Sequence, residues 1–235
     1  MLIILSGCSG VGKNTIINKL LQDGDRFEFM PTFTTRAMRE GEREGFPYYY
    51  TTKEDFERRI AAGEFYEYEN VHGNYYGTNK KVLEEKKKTG KILIKDIDVL
   101  GTLNLEKKMS SDIKIVTVFL DVESKQVLID RLIGRGEKDI ELRMKRYEME
   151  VSHAKEYQYI INNVEIEKTI NAINAIVDHE LSGDSFAFAG VRSSDDKSDG
   201  NQVVELELVD GKLVLKDGED EKTLKSSGHV AKLIR

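Results

Sequence analysis

Residues 2–20 of this chain read LIILSGCSGVGKNTIINKL, and this stretch determines the fold class. It opens with four apolar residues and then breaks at a glycine-rich segment. A short apolar run that ends at glycines is typical of a buried strand, whereas the apolar spacing that resumes after Lys13 is typical of a helix. The stretch therefore predicts a strand, a tight turn and a helix in immediate succession.

The predicted turn has the composition of a phosphate site. Its glycines let successive backbone N–H groups point into one concavity, the start of the helix adds positive potential, and Lys13 supplies a full charge. This combination indicates a loop that binds a nucleoside triphosphate rather than a plain strand-to-helix connection. We expect the nucleotide to be contacted by Gly7, Cys8, Ser9, Gly10, Val11, Gly12, Lys13, Asn14 and Thr15.

Asn14 departs from the pattern of such loops. The pattern calls for a serine or threonine hydroxyl that reaches Mg²⁺, and Thr15 comes one place too late for this role. An amide oxygen can face a hydrated Mg²⁺, although less well than a hydroxyl. Asn14 is therefore the magnesium ligand that the loop offers.

The composition describes an ordinary globular chain of 235 residues and 26.8 kDa. Hydrophobic residues make up 39% and charged residues 33% of it, which excludes a disordered or membrane-embedded class. A net charge of −6 argues against general affinity for nucleic acid. The single cysteine, Cys8, allows no internal disulfide and is expected to be structural rather than reactive. With neither a signal-like N-terminus nor an apolar run of about 20 residues, we expect a cytoplasmic protein that does not bind membranes.

Residues 32–78 are rich in groups that bind phosphate and a polar ligand. Arg36 and Arg39 are three residues apart, so both guanidinium groups can converge on one anion. Residues 64–70 alternate glutamates with aromatic residues, and residues 73–78 form a glycine-bounded turn with hydroxyls. Together these features predict a site for a second phosphorylated ligand. The alternative is a small strand-rich subdomain with tyrosines in its core and arginines in solvent.

Two later segments have the pattern of phosphoryl-transfer chemistry. An apolar run at 92–94 leads into Asp96 and Asp98, where a P-loop enzyme places the carboxylate that faces magnesium. After a predicted strand over 113–120 and a predicted helix over 123–132, arginines surround a glycine hinge at 131–136. Such a segment is typical of a mobile cover over the transferring phosphates. The alternative is a solvated basic helix face.

From residue 2 to about residue 181, the chain resembles the guanylate kinases, which convert GMP to GDP with ATP. The resemblance rests on the segments GCSGVGKNT, TTRAMREGEREGFPYY, GEFYEYENVHGNYYGT, KDID and RLIGRG, in the order and spacing of the family. It implies an α/β fold of the P-loop NTPase type, with three layers around a parallel sheet. It also implies a GMP-binding insertion over about 32–80 and a lid over about 134–150.

The resemblance implies a role for individual residues. The guanine base would be bound by Thr32, Glu67, Thr78 and Asp98. The GMP phosphate would be bound by Arg36, Arg39, Tyr48 and Tyr76. Catalysis would depend on Lys13, on Asp96 and on the two arginines at the GMP phosphate, Arg36 and Arg39. The lid arginines Arg131, Arg135 and Arg146 would also take part. ATP and Mg²⁺ would be the cofactors, with Mg²⁺ held by Asn14 and Asp96 and the adenine side of the site formed by Asn162 or Asn163.

Elementary chemistry agrees with these roles and leaves two alternatives open. Guanine offers N1–H and N2 amino donors, so the carboxylates of Glu67 and Asp98 suit its edge. No protein nucleophile is needed, because the GMP phosphate attacks the γ-phosphorus in line. The chain departs from the family at three places: Asn14, Asp121-Val122 in place of the usual Pro-Pro, and a short stretch over 146–163. The alternatives are a binding module that has lost turnover and takes an acidic or phosphorylated peptide, or a kinase for another phosphorylated small molecule.

The resemblance ends near residue 181. Residues 182–201 have the composition of a linker, and residues 203–216 read as two alternating strands around an Asp-Gly turn, a strong hairpin pattern. We expect a kinase domain over 1–181, a linker over 182–201 and a β-rich extension over 202–235. A lone hairpin is marginal in water, so it should dock on the kinase body, dimerise or form a small β module. The predicted partners are GMP and ATP, in a monomer or a homodimer through the hairpin.

Overall fold

The computed structural model describes residues 1–22, 24–71, 73–134, 136–137 and 140–182, together with three strands between residues 203 and 233. The helices are α1 (Lys13–Gln22), α2 (Lys53–Ala61), α3 (Lys80–Lys87), α4 (Val99–Met109), α5 (Lys125–Gly134), α6 (Ile140–Lys145), α7 (Tyr147–Ser152) and α8 (Ile166–Ser182). No helix in these described ranges has the length and apolar character needed to cross a membrane.

The strands that the structure describes belong to two sheets. They are β1 (Leu2–Gly7), β2 (Phe27–Phe29), β3 (Thr32–Thr34), β4 (Arg43–Glu44), β5 (Pro47–Tyr50), β6 (Phe65–Val71), β7 (Asn74–Asn79), β8 (Ile92–Asp96), β9 (Ile115–Asp121), β10 (Tyr159–Asn162), β11 (Val203–Val209), β12 (Lys212–Leu215) and β13 (Val230–Leu233). Strand β1 is buried along its whole length, as expected for a strand covered on both faces.

The first of two compact units comprises residues 1–4 and 20–116. In it, β2 pairs in parallel with β8, and the smaller sheet has the strand order β4-β5-β3-β7-β6. Its core contains Leu2, Ile4, Met30, Leu83 and Leu105. Helix α4, which the sequence patterns did not predict, begins at the N-cap Asp98 and contributes to this core.

The second unit comprises residues 5–19 and 117–235. Its strands follow the order β12-β11-β13-β10-β9, with β9, β10, β13 and β11 parallel and β12 antiparallel to β11. The predicted hairpin is therefore present as β11 and β12, while its Asp-Gly turn and most of the predicted linker lie outside the described residues. The extension joins the sheet through β13, a third strand that the sequence patterns did not assign, which pairs with β10.

Candidate active site

The turn between β1 and α1 has a backbone conformation that glycine adopts without strain and that other residues do not. Gly7 has φ 136° and Gly12 has φ 109°, values that residues with a side chain rarely adopt. A Cβ atom on Gly7 would lie 2.3 Å from the Leu120 carbonyl oxygen, and one on Gly12 would lie 2.8 Å from Nδ2 of Asn163. Lys13, the first residue of α1, donates from Nζ to the Gly7 carbonyl oxygen at 2.7 Å. The predicted strand, turn and helix therefore form a phosphate loop with a lysine folded over it.

The Val11 carbonyl is the point at which the phosphate loop is held in place. It accepts hydrogen bonds from Arg131 Nη1 at 3.0 Å and from Asn163 Nδ2 at 2.7 Å. Arg131 also donates to the Asn163 carbonyl at 3.0 Å, and Thr169 donates to Asn163 Oδ1 at 2.8 Å. Arg131, expected at the phosphates, is thus bound to two backbone carbonyls of the loop region.

Of the two asparagines predicted for the adenine side, the structure ties Asn163 to the phosphate loop. Its backbone N–H donates to the Asp121 carbonyl at 2.8 Å, which places it just beyond the end of β10. The side-chain oxygen of Asn162 is buried and has no hydrogen-bond partner among the described residues. The sequence could not decide between these neighbours, because the choice depends on where β10 ends.

Arg143 reaches the phosphate loop, although the sequence patterns singled out Arg146 for this region. Arg143 Nη1 donates to Ser9 Oγ at 2.8 Å, and Nη2 donates to Glu137 Oε2 at 3.0 Å. Arg146 lies beyond the end of α6, with Nε 3.7 Å from Glu150 Oε1. The predicted lid arginine Arg135 lies outside the described residues. A basic run on a helix does not reveal which arginine faces the loop until the phase of the helix is known.

Cys8 is a buried residue of the phosphate loop, with 2% of its surface exposed. Burial, followed by the charge of Glu150, raises the pKa of its thiol to about 12, against the opposing charge of Lys13. The thiol is therefore neutral at physiological pH. This agrees with the expectation that the cysteine is structural.

In the first unit, the predicted phosphate grip is organised by a carboxylate. Arg36 Nη2 donates to both oxygens of Glu42, at 2.7 and 2.9 Å, and its guanidinium lies 5.1 Å from the centre of the Tyr48 ring. Glu42 also accepts from the Tyr50 hydroxyl and the backbone N–H of Arg39, both at 2.8 Å. The side chain of Arg39 is exposed. Glu42 therefore fixes the one arginine of the pair that is half-buried.

The charges around this grip shift the pKa of its members. Burial alone would raise the pKa of Glu42, but the hydrogen bonds from Arg36, Arg39 and Tyr50 lower it to about 2. Burial, with the nearby charge of Asp96, raises the pKa of Tyr48. The Tyr48 and Tyr76 rings make an edge contact with centroids 5.7 Å apart. The structure thus brings Arg36, Tyr48 and Tyr76 together, as predicted.

The predicted base-binding residues surround a buried carboxylate. Glu67 is only 5% exposed, and its Oε1 accepts a hydrogen bond from the buried Thr78 hydroxyl at 2.6 Å. Burial raises the pKa of Glu67, while the Thr78 hydrogen bond and the charge of Lys95 oppose this. Phe65 and Glu67 of β6 are both buried, and the pairing of β6 with β7 shifts register between them. The buried face of this strand therefore carries Glu67, and Tyr68 is exposed.

The two aspartates after β8 differ in their surroundings. Asp98 caps α4, accepting from the Gly101 N–H at 2.8 Å, and its charge contributes to the raised pKa of Glu67. Asp96 is half-buried at the end of β8. Among the described residues, no three acidic, histidine or cysteine side chains form a cluster that could hold a metal ion.

Comparisons with known proteins identify the family of this chain. The guanylate kinase family profile matches residues 1–180. The chain belongs to the guanylate kinase family. A guanylate kinase from Bartonella henselae is 39% identical over 178 residues, which are 74% of this chain and 79% of that protein. One from Chlorobium chlorochromatii is 37% identical over 179 residues, 75% of this chain and 93% of that protein.

The fold agrees with that of a guanylate kinase. The crystal structure of guanylate kinase from Anaplasma phagocytophilum matches with a TM-score of 0.62 at 33% identity, covering 77% of this chain and 85% of that one. The α/β fold and the family resemblance predicted from the motifs are thereby confirmed. In this guanylate kinase family member, Glu42, Lys95 and Arg143 contact the predicted site residues Arg36, Thr32 and Ser9, although the sequence patterns gave these three no role. Glu42 and Lys95 lie within the quoted motifs TTRAMREGEREGFPYY and KDID, whereas Arg143 lies outside the quoted motifs.

Proposed function

We propose that this guanylate kinase family member transfers the γ-phosphate of ATP to GMP. Membership of the family supports an ATP:GMP phosphotransferase. The structural observation that carries the proposal is the buried Glu67 carboxylate, bonded to Thr78, in the same compact unit as the grip of Arg36, Tyr48 and Tyr76. A ligand that joins a donor-bearing base to a phosphate matches both features.

Base selection follows from the chemistry of Glu67. Thr78 occupies one of its oxygens, and the carboxylate keeps further acceptor capacity for a neighbouring pair of N–H donors. Guanine presents N1–H and an N2 amino group side by side. Adenine would place its N1 lone pair there and leave the remaining acceptor capacity of the buried carboxylate unpaired, which costs binding energy. Asp98, whose charge acts on Glu67, is proposed as the second acceptor.

Phosphate transfer would rest on positioning and charge. Arg36 holds the GMP phosphate as the attacking group, while Lys13 and the loop N–H groups hold the phosphates of ATP. Mg²⁺, which usually keeps few protein ligands, would be held by the side-chain oxygens of Asp96 and of Asn14, which is exposed in the first turn of α1. When bound, Mg²⁺ would neutralise charge on the phosphate oxygens.

Arg131, Arg135 and Arg146 would act with Arg143 around the ATP phosphates, in a lid over about 134–150, and Arg39 would join Arg36 on GMP. Four further points stay predictions: the insertion over about 32–80, the kinase domain over 1–181, a cytoplasmic location, and a monomeric or homodimeric state.

The test follows ADP formation by the purified protein with ATP and Mg²⁺ and, separately, GMP, AMP, CMP and UMP. GMP should be the preferred acceptor, and Lys13→Met should lower kcat by at least about a hundredfold, since a charge at the transferring phosphate is lost. Absence of turnover with every acceptor would favour the non-catalytic binding module. Preference for another nucleotide would contradict the roles of Glu67 and Asp98.

A further inference from the structure

Lys95 is a buried lysine that the catalytic scheme leaves without a role. It lies in β8, between the apolar run and Asp96, and its exposed surface is 0%. Its Nζ donates a hydrogen bond to Oγ1 of Thr32, and its charge interacts with the carboxylates of Glu67 and Asp96. A single ammonium therefore joins residues from three strands of the base-binding region.

The direction of this hydrogen bond determines what Thr32 can do. An ammonium nitrogen carries only donors, so Thr32 Oγ1 must accept from it. The hydrogen of the Thr32 hydroxyl then points away from Lys95 and has no acceptor among the residues that the structure describes. Thr32 is 8% exposed, so little of it meets solvent. A hydroxyl held in this way is available to donate a hydrogen bond to an acceptor atom of a ligand.

We propose that Lys95 is a positioning residue for base recognition, which commits the Thr32 hydroxyl to donate to the carbonyl oxygen O6 of the acceptor base. This inference rests on the proposed function, because it assigns one edge of the guanine. Glu67 reads the N–H donors of the base, and Thr32, directed by Lys95, reads the adjacent carbonyl. A donor next to an acceptor matches the O6 and N1–H pair of guanine.

The energetic cost of Lys95 supports a role in binding. A buried charge is expensive to desolvate, and an apolar side chain in its place is often neutral or stabilising. At an interior position of a parallel strand, such as that of Ile94, an apolar residue is the ordinary solution. A lysine that fixes the polarity of a hydroxyl and accompanies a buried carboxylate adds specificity instead of stability.

The experiment compares Lys95→Met, Thr32→Val and their double variant with the wild type. Lys86→Met is the control, since it also removes a lysine that interacts with a carboxylate, here Glu28, but at a partly buried position. The probes are GMP, IMP, which lacks the N2 amino group, and 6-thio-GMP, which replaces O6 with a weakly accepting sulfur. Steady-state kinetics give kcat and KM, and calorimetry gives each Kd whether or not turnover occurs.

For Lys95→Met, we expect the KM for GMP to rise about tenfold, with kcat and the KM for ATP within about twofold of the wild type. The KM ratio of 6-thio-GMP to GMP should fall from several-fold towards one, while the ratio of IMP to GMP stays unchanged. The double variant should be no weaker than either single variant, because both remove one interaction. Lys86→Met should change none of these values.

The possible results separate this inference from the proposed function. A wild type that phosphorylates GMP, with the 6-thio-GMP ratio unaltered by Lys95→Met, would overturn the role of Lys95 and leave the kinase assignment standing. If Lys95→Met does not fold, an unaltered ratio in Thr32→Val would overturn it equally. A wild type that binds GMP without turnover contradicts the kinase assignment, and the Kd ratios then decide on Lys95. A wild type that does not bind GMP overturns both.

Discussion

Glu42→Gln isolates the carboxylate that holds Arg36. Glu42 accepts four hydrogen bonds, two from Arg36, one from the Tyr50 hydroxyl and one from the Arg39 N–H, and its side chain is 19% exposed. A glutamine of the same shape keeps one acceptor oxygen, but it loses the charge and turns an amide group towards a guanidinium. The substitution should therefore weaken both the folded state and the grip on the acceptor phosphate.

The magnitude follows from the pKa of Glu42. A pKa lowered from 4.5 to about 2 corresponds to roughly 3 kcal/mol in favour of the folded state above pH 4.5. Because solvent reaches part of the pair, we expect about 2 kcal/mol. The group's pKa is lower in the folded than in the unfolded state, so its contribution is complete above pH 4.5 and is lost as the pH falls towards 2. At pH 3, less than half should remain.

Urea unfolding of the wild type and of Glu42→Gln, followed by circular dichroism at pH 7 and pH 3, measures this contribution. The free energy of unfolding should differ by about 2 kcal/mol at pH 7 and by less than about 1 kcal/mol at pH 3. Glu40→Gln, at an exposed position of the same loop, is the control and should have little effect at either pH. An equal difference at both pH values would refute the charge-based reasoning and indicate a loss of packing instead.

Three further predictions concern the phosphate loop. Asn163→Ala should raise the KM for ATP about tenfold and lower the melting temperature, because the Val11 carbonyl loses a hydrogen bond. The side-chain oxygen of Asn162 has no hydrogen-bond partner among the described residues, so Asn162→Ala should change both values much less. Burial raises the pKa of the Cys8 thiol to about 12, so iodoacetamide at pH 8 should alkylate the native protein at least about a hundredfold more slowly than the protein in urea, and equal rates would contradict this. Asn14→Ser should leave kcat equal or higher and lower the Mg²⁺ concentration for half-maximal rate, as measured by magnesium titration, and a large loss of kcat would show that the amide has its own function.

The parts of the molecule that sequence predicts well are those fixed by local pattern. The strand, turn and helix at residues 2–20 follow from an apolar run, glycine spacing and a lysine, all of which act over a few neighbouring residues. The hairpin over 203–215 follows from alternation and an Asp-Gly turn in the same way. The family resemblance rests on several such motifs in one order, and the match of the family profile to residues 1–180 confirms it.

The residues that escaped prediction act across long stretches of chain. Lys95 meets Thr32 across 63 positions, and Arg143 meets Ser9 across 134. The contacts of a lysine within an apolar strand, or of an arginine within a basic helix, cannot be predicted until the packing shows what each side chain faces. Glu42 is closer to Arg36, but nothing in a charged loop distinguishes the carboxylate that folds back onto an arginine from those that remain in solvent.

The order in which the ribosome delivers the strands differs from their order in the sheet. Strand β13 lies between β10 and β11, yet β10 ends at Asn162 and β13 begins at Val230, so 67 residues separate them. During translation, β10 therefore emerges long before its neighbour, and its unpaired edge is open to other nascent chains. The hairpin of β11 and β12 can form early, but it can join the sheet only after β13 has arrived.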